Sequence, residues 1–319
     1  MAGSSRTAIY AALVGNSLIA VTKFIAASVS GSAAMFSEGI HSVVDSGNQV
    51  LLLYGLKRAQ KPADAEFPFG HGKEVYFWSF VVAILIFGLG AGISLYQGFS
   101  HLNHPEPLGD LTLNYVVLGL AIAFEGGALW VAVREFNKSR AGQSVMAAVR
   151  SGKDPSLFVV VFEDSAAMLG LVVALVATFL YQTTGNILFD AGASICIGLI
   201  LAGTAAWLAY EAKGLLIGES AAPETVSAIK ALVSADDRVL AVNELITLHM
   251  GPSDIIVTMS VDFVDGIDSS VVEATVTELN QAIKALDPNI RRVFVEVERT
   301  SDHHPAIPVD PTATAGDTR

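Results

Sequence analysis

Cysteine is almost missing from this sequence. Cys196 is the only one, which excludes an intramolecular disulfide framework and any cysteine-built zinc cluster. Charge is scarce too, at 16% of residues where a soluble domain carries about 25%. The charge present is mostly acidic, 31 Asp and Glu against 19 Lys and Arg, for a formal net charge of −12. There is no basic run, so nucleic-acid binding is not expected. Walker-type phosphate loops, His-Glu-x-x-His, Gly-x-Gly-Asp and Gly-x-Ser-x-Gly are all missing. Their absence argues against nucleotide hydrolysis and intramembrane hydrolase chemistry, so neither an enzyme nor a resident cofactor is expected. What the chain has instead is apolar residues, 52% of the total, with a mean hydropathy of +0.53. A membrane protein with a soluble part attached is the class left standing.

A bilayer core takes about 20 apolar residues as helix. Six stretches fit: Ala8–Val29, Ala33–Leu56, Tyr76–Phe99, Leu113–Val133, Ser156–Tyr181 and Ile187–Tyr210. The first is longer than a signal-peptide core and contains Lys23, so it reads as a span. Lys and Arg avoid the loops after spans 1, 3 and 5 and collect in the others (Lys57, Arg58, Lys61, Lys73; Arg134, Lys138, Arg140, Arg150, Lys153). The positive-inside rule then puts both termini in the cytoplasm. The first few residues hold a single Arg, unlike a transit peptide, and a cell (inner) membrane is the expected location.

From Ala221 the composition changes, with 16 acidic and 7 basic residues, so this end carries −9 of the net charge. Pro223 opens a helix to Ser234, and Val239–His249 and Asp254–Phe263 read as strands joined at Gly251-Pro252. Ile255, Val257, Met259, Val261 and Phe263 alternate onto one face of the second strand. An amphipathic helix over Ser269–Leu286 and a strand over Ile290–Glu298 complete an α-β-β-α-β order. The expectation is therefore a polytopic α-helical membrane protein: a transport domain of six transmembrane helices (1–214), a small cytoplasmic α+β, ferredoxin-like domain (215–300) and a disordered tail (301–319).

Ionisable side chains inside spans cost roughly 2.5–3.5 kcal/mol each at the bilayer centre and usually mark function. Span 2 places Glu38, His41, Asp45 and Asn48 at spacings of three, four and three, on one face. Span 5 has the adjacent pair Glu163 and Asp164, span 4 has Glu125, and span 6 begins near Asp190. A histidine and an aspartate four residues apart can reach one ion from the same side, as imidazole and carboxylate do around Zn²⁺. The imidazole of His41 favours a transition metal over Mg²⁺. The expected metal ligands are His41, Asp45, Asp164 and Glu163. His101 and His104 are placed in an outer loop, His71 in a structured loop cap, and His303-His304 in the solvated tail. Gly88 and Gly92 form a small-xxx-small pair suited to close helix contact.

Two runs carry a family resemblance: Ser37-Glu38-Gly39-Ile40-His41-Ser42-Val43-Val44-Asp45 and Phe67-Pro68-Phe69-Gly70-His71-Gly72-Lys73-Glu74. The chain resembles the cation diffusion facilitators over about residues 8–298, and its Phe162–Gly170 run is similar to the zinc transporter 9-like branch. The resemblance implies a homodimeric antiporter that exports a divalent metal, Zn²⁺ foremost, in exchange for protons. Metal ion, protons and the lipid bilayer are then its partners. Family zinc transporters pair a His-x-x-x-Asp in helix 2 with another in helix 5. Here Asp164 fits the second aspartate, Val160 stands where the histidine would be, and Glu163 is the substitute expected. A one-histidine, acid-rich site also suits Mn²⁺, Fe²⁺ or Co²⁺. Tail-domain positions that bind regulatory zinc in relatives align with Met259, Thr275 and Glu296, while His249 shows no partner in the sequence. The alternative reading is a non-transporting membrane metal sensor or partner protein of the same fold.

Overall fold

A computed structural model describes residues 2–30, 33–104, 111–140, 142, 144–145, 148–149 and 152–304. The chain divides into two compact units, Met1–Ile217 and Gly218–Arg319.

The first unit is helical: α1 (Ala2–Ser30), α2 (Ala33–Arg58), α3 (Glu74–Leu85), a π-helical turn (Ile86–Ala91), α4 (Gly92–Asn103), α5 (Leu111–Ser139), α6 (Pro155–Thr184) and α7 (Leu188–Ile217). Among the described residues five helices are long and apolar enough to cross a membrane: Ser5–Val29, Glu74–Asn103, Leu111–Ser139, Pro155–Thr184 and Leu188–Ile217. α2 is 26 residues long and is not among them. Its His41, Asp45, Asn48, Gln49, Lys57 and Arg58 dilute its apolar character. These findings make the chain an integral membrane protein with a small sheet domain after its last membrane helix.

Local chemistry sets the helix ends. Asp154 caps α6, its carboxylate accepting from the Ser156 N–H at 3.1 Å, and Pro155 fills the first turn, where a missing N–H costs nothing. Ser5 Oγ donates to the same carboxylate at 2.7 Å and ties α1 to the start of α6. Gly185, at φ 68°, closes α6 in the left-handed conformation that glycine adopts without strain. α1 packs on α2 and α5, α6 on α5 and α7, and α4 on α7.

The tightest of these crossings is not at Gly88 and Gly92. A Cβ at Gly88 would meet nothing within 4 Å, and one at Gly92 only Phe87 O. At Gly98 it would come 2.6 Å from Ile195 Cγ1 and 2.9 Å from Ile195 N, and at Gly198 2.7 Å from Leu95 Cγ. Small residues mark close approach, but their spacing alone does not say which face meets a neighbour.

In the second unit α8 (Pro223–Ser234), β1 (Val239–Gly251), β2 (Asp254–Phe263), α9 (Ser269–Leu286) and β3 (Ile290–Val297) follow in order. β2 is central, antiparallel to β1 and parallel to β3. Its alternating face, Ile255, Val257, Met259, Val261 and Phe263, is buried in one core with Ile229 and Val233 of α8 and Leu279 and Ile283 of α9. Each such side chain contributes about 1.5–3 kcal/mol when fully buried. Residues 305–319, most of the expected disordered tail, lie outside the described residues.

Candidate metal site

α2 and α6 meet through polar side chains. Asn48 Nδ2 donates to Glu163 Oε1 at 3.1 Å and Gln49 Nε2 donates to Glu163 Oε2 at 3.0 Å. Both bonds are buried, so Glu163 is held by two amides from the opposite helix. Asp164, 1% exposed, has both carboxyl oxygens buried with no hydrogen-bond partner among the described residues. Glu125 of α5, 2% exposed, has a bare Oε1 as well. Lys23 Nζ of α1 donates to Ser42 Oγ of α2 at 3.0 Å. Asp45, Glu125, Glu163 and Asp164 lie close enough for their charges to act on one another, and the Lys23 charge reaches Glu125.

Of the expected ligands, the acidic Asp45, Asp164 and Glu163 therefore lie near one another, but the set does not form one coordination sphere among the described residues. His41 Nε2 stands 3.9 Å from Asp45 Oδ2, beyond hydrogen-bond range, with both side chains part-exposed. Among the described residues no three His, Cys, Asp or Glu side chains are gathered as they would be around a metal ion. The Glu38 side chain lies outside the described residues. Gln49 is a residue that the spacing argument left out, although it sits four after Asp45 and so shares its face. Val160 is wholly buried among apolar neighbours.

The remaining histidines take structural places. His101 belongs to α4, not to a loop, because that helix runs on to Asn103. Its Nδ1 lies 3.0 Å from Asp190 Oδ2 of α7, which gives Asp190 a helix-to-helix bond. His71 is buried in the loop after α2, with Nε2 2.9 Å from Asp64 Oδ2. That bond, with the N–H of Phe67, holds the Asp64 carboxyl below its usual range. His249 is buried, its Nδ1 3.4 Å from Gly251 O. Met259 and Thr275 are buried on the helix side of the sheet, while Glu296 is exposed. His303 does not float free: its Nδ1 lies 2.7 Å from Glu298 Oε2. With the Ser260 hydroxyl, it lowers the Glu298 carboxyl from its ordinary value.

Membrane helices around a buried acidic layer, followed by a small sheet domain, define a class of ion-handling membrane proteins. Residues 9–217 match the cation efflux transmembrane domain, and the chain belongs to the cation efflux, or cation diffusion facilitator, family. It is 35% identical over 296 residues, 90% of its own length and 53% of the relative's, to "Proton-coupled zinc antiporter SLC30A9, mitochondrial" of Xenopus laevis. It is 36% identical over 250 residues to the human protein of that name (78% of this chain, 44% of the relative). Metal tolerance protein C4 of Arabidopsis thaliana is 31% identical over 261 residues (81% and 57%). The chain spans about half the length of these curated relatives. Within the family it stands on the SLC30A9-like branch.

Proposed function

We propose that the chain is a secondary transporter that moves a divalent transition metal, Zn²⁺ foremost, out of the cytoplasm in exchange for protons. The observation that carries this reading is Asp164: a carboxyl 1% exposed in a membrane helix, bare at both oxygens, in the same layer as Asp45 of α2. A group so costly to bury needs compensation, and a divalent cation supplies it. His41, Asp45 and Asp164 are the ligands assigned, with Glu163 beside them in the layer. Neutral imidazole and ionised carboxylates bind metal, so binding releases protons, which couples the two flows. The animal relatives, named as proton-coupled zinc antiporters, support the same exchange.

In this reading α2 is a sixth membrane helix, its polar face turned to the bundle and its Val43 and Val50 exposed on the other side. The sheet domain has a ferredoxin-like arrangement and serves dimerisation of two copies. Both termini lie on the basic, cytoplasmic side of a cell membrane.

The test is transport by the full chain in proteoliposomes carrying a zinc dye and a pH dye. Wild type should show zinc uptake with opposite proton movement, and Asp45→Ala and Asp164→Ala should each abolish both. Metal binding without metal-driven proton movement in wild type would indicate a sensor. Unchanged flux in both variants would remove the assigned site.

A further inference from the structure

Adjacent residues on an α-helix point about 100° apart, so Glu163 and Asp164 cannot both face the same partner. The structure separates them in this way. Glu163 spends both oxygens on the amides of Asn48 and Gln49. Asp164 spends none. A second carboxyl with a bare, buried oxygen in this layer is Glu125, on α5. α5 packs directly on α6. The charges of Glu125, Glu163 and Asp45 all act on Asp164. The charge of Asp45 also acts on Glu125.

Two carboxyls on packed helices, each about 98% buried or more, one bare at both oxygens and the other at Oε1 among the described residues, are unfavourable on their own. A structural role for Glu125 would leave a sign, a donor on each buried oxygen, as Glu163 has. Oε1 shows none among the described residues. A divalent cation between Glu125 and Asp164 would satisfy both at once.

We propose that Glu125 is a ligand of the transported metal, filling the fourth position that Val160 leaves vacant, so that the site is built from three helices: His41 and Asp45 of α2, Glu125 of α5 and Asp164 of α6. Glu163 is then a positioning residue that holds α6 in register against Asn48 and Gln49 of α2. The resulting set is one nitrogen and three carboxylates, a more oxygen-rich donor set than two histidines with two aspartates. Such a set tolerates Mn²⁺ and Co²⁺ beside Zn²⁺. The inference rests on the metal-transport reading above and adds a ligand to it.

The experiment uses the full chain in nanodiscs, with Co²⁺ as the spectroscopic probe and Zn²⁺ titrated calorimetrically. Glu125→Gln should weaken Zn²⁺ binding about 100-fold or more and change the visible spectrum of bound Co²⁺. Glu163→Gln should weaken binding by about 10-fold, within the range of outer-shell partners, and leave that spectrum as in wild type. Glu125→His, which restores a ligand, should recover binding with a spectrum shifted by the added nitrogen. That rescue separates ligation from a merely structural role, and it keeps the claim testable if Glu125→Gln folds poorly. Wild-type affinity and spectrum in Glu125→Gln, with loss in Asp164→Asn and Asp45→Asn, would overturn this inference alone. Wild-type binding in all three variants would overturn the transport-site reading itself.

Discussion

The amide clamp on Glu163 makes a quantitative prediction. Two buried hydrogen bonds, at 3.1 and 3.0 Å, join Asn48 and Gln49 of α2 to the two oxygens of one side chain on α6. Polar bonds between membrane helices average about 0.6 kcal/mol in double-mutant cycles and reach about 1.7. Two together should couple α2 to α6 by about 1–3 kcal/mol. The cycle compares wild type, Glu163→Ala, the Asn48→Ala/Gln49→Ala pair and the combined variant. Each is unfolded reversibly in mixed micelles with a chelator present, so that metal binding does not enter. Removing Glu163 alone leaves two buried amide donors unmet, and removing the amides leaves two acceptors unmet. Each single perturbation should therefore cost more than its share of the combined one. Losses that add to within about 0.3 kcal/mol would refute the clamp and with it the positioning role given to Glu163.

Two smaller predictions follow from packing and charge. Gly98→Ala puts a methyl 2.9 Å from the backbone of Ile195, so α4 and α7 must part; an overpacking cost of about 1–3 kcal/mol should outweigh the gain of about 1 kcal/mol in helix propensity. Gly119→Ala, with nothing within 4 Å, should stabilise or be neutral, and thermal unfolding of the two variants gives the contrast. In the sheet domain the Arg238 side-chain hydrogen bond holds the Asp236 carboxyl at about 2. A depressed carboxyl stabilises the fold above its unfolded value near 3.9 and loses that contribution as pH falls through about 2. After allowance for screening, about 1 kcal/mol of acid sensitivity between pH 4 and 2 should vanish in Arg238→Ala, as followed by circular dichroism.

The sheet domain was the most legible part of the sequence. Ile255, Val257, Met259, Val261 and Phe263 write a period of two plainly in the sequence and enter one core, although β2 is buried along nearly its whole length. Membrane helices were legible in outline, but apolar runs stop short of helix ends. That is why His101 belongs to α4 and bonds Asp190 when the sequence suggested a loop. The π-helical turn at Ile86–Ala91 has no signature in residue type, since a wider turn is a backbone choice. At the site, spacing along α2 groups Glu38, His41, Asp45 and Asn48 on a face, because the face of one helix is a matter of counting. Which carboxyl of α5 or α6 completes the set depends on how separate helices pack. Adjacency drew attention to Glu163 beside Asp164; the bonds of Glu163 to two amides, the bare oxygens of Asp164 and the bare Oε1 of Glu125 become visible only once the helices are packed.

The claim at the centre is that one divalent ion sits between α2 and α6 on carboxylates of the two helices. Calorimetric titration of the full chain with Zn²⁺, alongside Asp45→Ala and Asp164→Ala, tests it most directly. One high-affinity equivalent per chain in wild type, missing from both variants with their folds intact, is the result predicted. A full equivalent bound with undiminished affinity in both variants would contradict it.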